Sequence, residues 1–60
     1  MNKGMTFEAW KAEVNRIVAS VLDGLNTDDL VDMPYRDEYR DGTTPGDMAY
    51  MALEANGFYR

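Results

Sequence analysis

The chain has 60 residues, contains no cysteine and no histidine, and carries a net charge of −5. One small domain fits this length, and neither a disulfide nor an ordinary structural zinc site can stabilise it, because both need side chains that the chain lacks. The acidity argues against direct binding to nucleic acid, while 45% hydrophobic and 28% charged residues are typical of a folded soluble protein.

The sequence predicts neither a membrane segment nor a targeting signal. The longest apolar stretch, residues 17–22, is too short to span a bilayer, and the N-terminus does not have the pattern of a signal peptide. We therefore expect a cytoplasmic protein with a flexible N-terminus at residues 1–5 and a single small helical domain at residues 6–60.

The first helix is predicted from residue 6 to residue 23. Thr6 is an N-cap candidate, and Met5 and Trp10 occupy the positions of a hydrophobic staple. Gly24 is a typical residue just after a helix. An apolar stripe with the 3.6-residue period of an α-helix runs along the segment. Its members are Phe7, Trp10, Val14, Ile17, Val21 and Leu25.

Two shorter segments and a second main helix follow. Asn26 and Thr27 are expected to cap a short acidic turn, and residues 35–41 predict a short helix between Pro34 and Gly42. A last helix is predicted from the Thr44-Pro45 pair to about residue 56. No strand pattern occurs, so the expected fold class is all-α, with two main helices and a short connecting helix.

The predicted last helix is apolar over an arc of about 200°, which is wider than packing on one partner helix requires. The arc leaves Tyr50 and Glu54 on the opposite side. Two interpretations stay open: the helix lies in a cleft formed by the first helix and the linker, or part of the arc binds a partner or a second copy. The residues of the arc are Met48, Ala49, Met51, Ala52, Leu53 and Ala55.

Catalysis is not expected from this composition. With no histidine or cysteine and a single serine, Ser20, the common pairs of nucleophile and base cannot be assembled. The segment from Asp37 to Gly42 begins like a calcium-binding EF-hand loop, but Tyr39 and Met48 then occupy positions that need oxygen ligands. Glycine patterns for phosphate binding are absent as well, so we expect no cofactor and no metal.

A tripeptide is repeated within the predicted short helix. Tyr-Arg-Asp occurs at residues 35–37 and again at residues 39–41, and this spacing stacks like residues on a helix. Tyrosine and arginine are enriched at interface hot spots, so the repeat predicts a contact surface. Alternatively, the rings of Tyr35 and Tyr39 pack on the core with their hydroxyls in water, while Arg36 and Arg40 neutralise nearby aspartates. For the tyrosines the second interpretation is favoured; for the arginines both stay open.

The net charge is confined to one third of the chain. Acidic and basic residues cancel within residues 1–27 and again within residues 48–60, so residues 28–47 carry all of the −5. Such an acidic ridge can steer a small domain toward a basic surface, including one that normally holds a phosphate backbone. Helix capping accounts for Asp28, Asp29 and Asp47, which follow capping threonines.

Short motifs are spread along the chain: Phe7-x-x-Trp10, Asp29-Leu30-Val31-Asp32, Tyr35-Arg36-Asp37, Tyr39, Asp41-Gly42, Thr44-Pro45, Ala49 and Ala52-Leu53-Glu54-Ala55-Asn56-Gly57-Phe58. In these motifs the chain resembles a family of short uncharacterised proteins carried by bacteriophages, plasmids and their proteobacterial hosts. The resemblance covers nearly the whole chain from Met5 onward, although Val31 stands where members often have proline. It implies a setting in which small acidic proteins inhibit or modulate one host machine by contact.

Together these features predict a small acidic modulator or inhibitor that binds a host protein with a basic surface. A nucleic-acid-binding defence or transcription machine is the target class, with the ridge mimicking phosphate charge; neither nucleic acid nor a membrane is an expected partner. The alternative is a homodimeric interaction module that uses the Met48 and Met51 arc. The expected partner-binding residues are Asp32, Tyr35, Arg36, Asp37, Glu38, Tyr39, Arg40, Asp41, Met48 and Met51.

Overall fold

The computed structural model describes residues 4–58 and confirms the all-α class, with no strand in that range. Residues 1–3 and 59–60, and with them most of the predicted flexible N-terminus, lie outside the described residues. Met5 is described, and its side chain packs against the core. The elements are helix α1 at Phe7–Leu22, a 3₁₀ turn at Thr27–Asp29, helix α2 at Tyr35–Asp41 and helix α3 at Pro45–Ala55.

Helix α1 begins and ends close to where the sequence predicts. The Thr6 hydroxyl accepts a hydrogen bond from the backbone N–H of Ala9 at 3.1 Å, which satisfies one of the free donors of the first turn. The helix ends after Leu22, one residue before the predicted end, because Asp23 already has a left-handed backbone with φ of 51°. Gly24 then donates its N–H to the carbonyl of Ala19 at 3.3 Å.

The buried stripe of α1 differs from the predicted one in its second half. Trp10, Val14 and Val18 are fully buried, whereas Val21 and Leu25 are 45% and 42% exposed. Helix α3 is shorter than α1: its 11 residues span about 16 Å, against about 24 Å for the 16 residues of α1. Helix α3 therefore cannot cover the full length of α1.

Helix α3 has the caps that the sequence predicts. The Thr44 hydroxyl accepts from the N–H of Asp47 at 3.2 Å, and Pro45 occupies the first turn. At the other end Gly57 has φ of 81°, and the N–H of Phe58 donates to the Leu53 carbonyl at 3.0 Å. This is the usual chain reversal at a helix C-terminus.

Helices α1 and α3 form most of the core, and long-range hydrogen bonds fix the remaining chain to them. The Trp10 indole N–H donates to the Thr43 carbonyl at 2.9 Å, which ties the loop before α3 to α1. The N–H of Val31 donates to Asn56 Oδ1 at 3.1 Å. The buried Thr27 donates to a side-chain oxygen of α1, Asn15 Oδ1, at 2.6 Å from its hydroxyl. The linker is thereby held against both main helices.

None of the helices within residues 4–58 has the length and apolar character needed to cross a membrane.

Candidate functional site

The two tyrosines of α2 face the core. Tyr35 is 9% exposed and belongs to the buried cluster. The Tyr39 ring stands edge-on to the rings of Phe7 and Trp10, with centroids 5.6 Å and 5.5 Å away. Such edge-to-face pairs stabilise an aromatic cluster beyond the area that they bury. The rings of Tyr35 and Tyr39 therefore pack on the core, as the favoured interpretation predicts, which leaves Tyr35 little surface for a partner, while Tyr39 is half-buried.

The hydroxyls of these tyrosines are not simply in water either. The Tyr39 hydroxyl donates to the backbone carbonyl of Met5. The Tyr35 hydroxyl is buried next to Thr27 and has no hydrogen-bond partner of ordinary geometry among the described residues. Burial raises the pKa of the Tyr35 hydroxyl above its usual 10.0, a nearby Thr27 side chain lowers this pKa, and the carboxylates of Asp32 and Asp28 raise it further.

The outward face of α2 carries charges of both signs. Arg36, Asp37, Arg40 and Asp41 are all exposed. Arg40 Nη2 lies 2.5 Å from Asp37 Oδ1, and their side chains are 71% and 63% exposed, so the pair stabilises the fold by well under ~1 kcal/mol. This pair has the neutralising role that the sequence left open for the arginines. Asp41 remains as the acidic side chain of this face that no described cation pairs with.

Arg36 has a different neighbour from Arg40. Its guanidinium carbon lies 4.2 Å from the centroid of the Phe7 ring, which places the cation over the face of the aromatic ring. The two arginines of the repeated tripeptide therefore differ: Arg40 balances a carboxylate, and Arg36 is held on α1 through Phe7.

Glu38 supports the loop between α2 and α3. Its carboxylate accepts a hydrogen bond from the Thr43 hydroxyl at 2.6 Å, and its backbone carbonyl accepts from the Thr43 N–H at 3.0 Å. Gly42, between them, has φ of 92°, a left-handed conformation that suits glycine. Glu38 is half-buried and has a local structural partner, so it adds less to an acidic contact surface than the sequence predicts.

The strongest local excess of negative charge precedes α2. Asp28, Asp29 and Asp32 are all exposed, and we call residues 28–32 the acidic segment. Asp29 accepts from the backbone N–H of Asn26 at 3.1 Å, while Asn26 Oδ1 accepts from the N–H of Asp28 at 2.8 Å. The predicted cap is thus Asn26, and Thr27 is a buried residue of the turn. The carboxylates of Asp32 and Asp28 both raise the pKa of the Tyr35 hydroxyl.

The methionines of α3 do not form the expected contact surface. Met48 is fully buried in the core cluster, and Met51 is half-buried against it. Ala49, Ala52 and Leu53 are buried as well, which leaves Tyr50 and the exposed end of the helix for solvent. Most of the wide apolar arc is therefore covered within the chain, although Ala55 is exposed, and Met48 has no exposed surface to offer a partner. Met51 keeps a partly exposed side chain.

Eight predicted site residues are exposed or half-buried, and sequence reasoning missed other exposed residues. It assigned Asp28 to capping, yet the Asp28 residue is exposed, as is Asp32 four residues later. A signal was present, because no basic residue occurs between Arg16 and Arg36. Within residues 4–58 no three acidic side chains converge as a metal site would require. The predicted residues that remain exposed or half-buried are Asp32, Arg36, Asp37, Glu38, Tyr39, Arg40, Asp41 and Met51.

Comparisons with family models, with curated proteins and with solved structures each found no match for this chain.

Proposed function

We propose that this protein is a small cytoplasmic binding module that modulates or inhibits a host protein by contact, through its acidic segment. The observation that carries the proposal is the exposure of Asp28, Asp29 and Asp32 in a stretch without a basic residue. Uncompensated charge on a small rigid body raises the rate of encounter with an oppositely charged surface and selects against like-charged ones. The expected partner therefore carries a basic patch.

The target class that fits best is a host protein whose basic patch normally holds a nucleic-acid backbone. Exposed carboxylates can occupy such a patch as phosphate mimics, because both groups are anions that accept hydrogen bonds from arginine and lysine. The resemblance to proteins of phages and plasmids supports this setting, since such elements meet the defence and transcription proteins of their hosts. A catalytic role forms no part of the proposal.

The proposal is tested by removing two negative charges from the acidic segment and, in a control variant, two negative charges from elsewhere in the chain. Asp28→Asn with Asp32→Asn should weaken capture of the host partner about tenfold at about 0.05 M salt, with wild-type capture falling similarly at about 0.3 M. Glu8→Gln with Glu54→Gln is the matched control, because it removes the same charge from exposed positions of α1 and α3. Equal loss in both variants would show that net charge alone matters, and unchanged capture in the first would exclude the acidic segment.

A homodimeric module is the second candidate, and exposed apolar side chains favour it. With Met48 buried, the dimer surface would use other residues than the predicted arc. Those available are Val21, Leu25, Val31 and Phe58, each 42% to 50% exposed. Light scattering across a range of protein concentrations decides this point. For a dimer the average molar mass should rise with concentration toward twice the monomer mass, whereas for a monomer it should stay constant.

A further inference from the structure

A groove lies between the start of α1 and the start of α2. It has a volume of about 320 Å³, at the small end of the range for ligand-binding clefts. Its lining includes the apolar side chains of Met33 and Pro34 and the rings of Phe7 and Tyr35. The groove is open along one side, so it suits an extended segment of chain more than an enclosed small molecule.

Two cations are held in this groove on aromatic rings. Lys11 Nζ lies 4.3 Å from the centroid of the Tyr35 ring, and the Arg36 guanidinium carbon lies 4.2 Å from that of Phe7. The ion pairs among the described residues are those of Arg16 and of Arg40, and neither includes Lys11 or Arg36. Asp37 also borders the groove, but its carboxylate is paired with Arg40. Two positive charges without a carboxylate partner among residues 4–58 thus share one groove in a protein of net charge −5.

A guanidinium stacked on a ring keeps the N–H groups of its outer edge free. These donors match the two oxygens of a carboxylate, and a lysine ammonium adds a second attraction without fixed geometry. Because the aromatic rings already restrict both side chains, less conformational entropy is lost when an anion binds between them. The side chains of Met33 and Pro34 add apolar area for a neighbouring side chain of the ligand.

We propose that this groove binds an acidic peptide segment of a partner protein, with a carboxylate between Lys11 and Arg36 and an adjacent apolar side chain on Met33 and Pro34. This site has the opposite charge preference to the acidic segment at residues 28–32. It therefore goes beyond the proposed function, and either of the two can fail while the other holds.

The test is a titration of the ¹⁵N-labelled full chain followed by amide chemical shifts. The probe is acetyl-Leu-Glu-Leu-Asp-amide, and its uncharged counterpart is acetyl-Leu-Gln-Leu-Asn-amide. The acidic peptide is expected to shift the amide signals around Lys11 and Arg36. The uncharged peptide is expected to bind at least about tenfold more weakly. This comparison uses the wild-type chain, so it does not depend on the folding of any variant.

Variants then assign the site. Lys11→Gln and Arg36→Gln should each weaken binding of the acidic peptide about threefold to tenfold. Arg16→Gln is the control, because Arg16 is exposed, paired with Glu13 and absent from the groove, and it should leave the affinity unchanged within about twofold.

Three results would overturn the proposal. The first is equal binding of the acidic and uncharged peptides, and the second is an equal loss of affinity in the Arg16 control. The third concerns the anion itself: if inorganic phosphate at the same concentration shifts the same amides as strongly as the acidic peptide, the groove holds small anions in general and the peptide segment is not its ligand.

Discussion

At the scale of single residues, identical tripeptides produce different environments. Tyr35 and Tyr39 occupy the same place in the repeated Tyr-Arg-Asp unit, and both rings lie inward on α2. The Tyr39 hydroxyl reaches the backbone carbonyl of Met5, whereas the Tyr35 hydroxyl is buried without a hydrogen bond among residues 4–58. The difference arises because the two hydroxyls have different neighbours from other parts of the chain. The sequence of α2 alone therefore cannot predict it.

This difference predicts opposite effects of the same substitution. Tyr39→Phe removes a donor and leaves the Met5 carbonyl without its partner, so the free energy of unfolding should fall by about 1 kcal/mol. Tyr35→Phe removes a buried hydroxyl that lacks a partner, so stability should stay the same or rise by up to about 1 kcal/mol. Urea unfolding of both variants measures the two effects.

For a domain of this size, 1 kcal/mol corresponds to roughly 4–8 °C in melting temperature, so thermal unfolding provides a second reading. A loss in Tyr35→Phe as large as that in Tyr39→Phe would mean that the Tyr35 hydroxyl is hydrogen-bonded to Thr27 in solution.

At the scale of elements, the ends of helices are the part of the fold that local sequence predicts well. Thr6 and Thr44 cap α1 and α3 as expected, and Gly57 ends α3, because each cap depends on atoms within four residues. The buried face of α1 was predicted less well. Whether Val18 or Val21 is covered depends on how far α3 reaches along α1, and no local pattern encodes that distance.

Two glycines, one in the first turn of α3 and one just after its end, predict how the ends of this helix respond to an added methyl group. Gly46 lies in the first turn with no described atom within 4 Å of an added Cβ, and Gly57 has equally open space but φ of +81°. Gly46→Ala should therefore raise stability by about 0.4–1 kcal/mol, chiefly by restricting the unfolded chain. Gly57→Ala should lower stability by about 1 kcal/mol, because a Cβ disfavours the left-handed backbone.

Thermal unfolding of the two alanine variants and the wild type, followed by circular dichroism, measures these two changes in stability. Since space is open at both positions, steric crowding cannot explain a difference, and the backbone angle is the variable that is compared. Equal stabilisation in the two variants would mean that Gly57 does not hold a left-handed conformation.

At the scale of the whole molecule, sequence reasoning predicted where the charge lies in the chain better than which side chains present it. Confinement of the net charge to residues 28–47 is a property of the sequence itself. The sequence does not reveal which of these carboxylates have partners in the fold. Asp37 is paired with Arg40, and Glu38 accepts a hydrogen bond from Thr43. The groove that holds Lys11 had no local signal either, because its lining comes from residues that lie far apart in the chain.

The uneven charge also predicts an unusual response of the fold to salt. The molecule measures 29 × 19 × 16 Å, so at about 0.01 M salt, where the screening length is about 30 Å, all its charges interact. The ion pairs described, Arg16 with Glu13 and Arg40 with Asp37, are exposed and stabilise the fold weakly, so repulsion within the net charge of −5 should dominate. Raising sodium chloride to about 0.3 M should then increase the melting temperature by roughly 2–4 °C.

The control for the salt effect is Asp28→Asn with Asp32→Asn, which removes two of the clustered carboxylates. Its melting temperature in low salt should already exceed that of the wild type, and its further rise with salt should be smaller, because less repulsion remains to be screened. Salt would thus strengthen the fold while weakening capture of a basic partner. A melting temperature that falls with salt would mean that attractive contacts, including Lys11 on Tyr35 and Arg36 on Phe7, outweigh the repulsion among the aspartates.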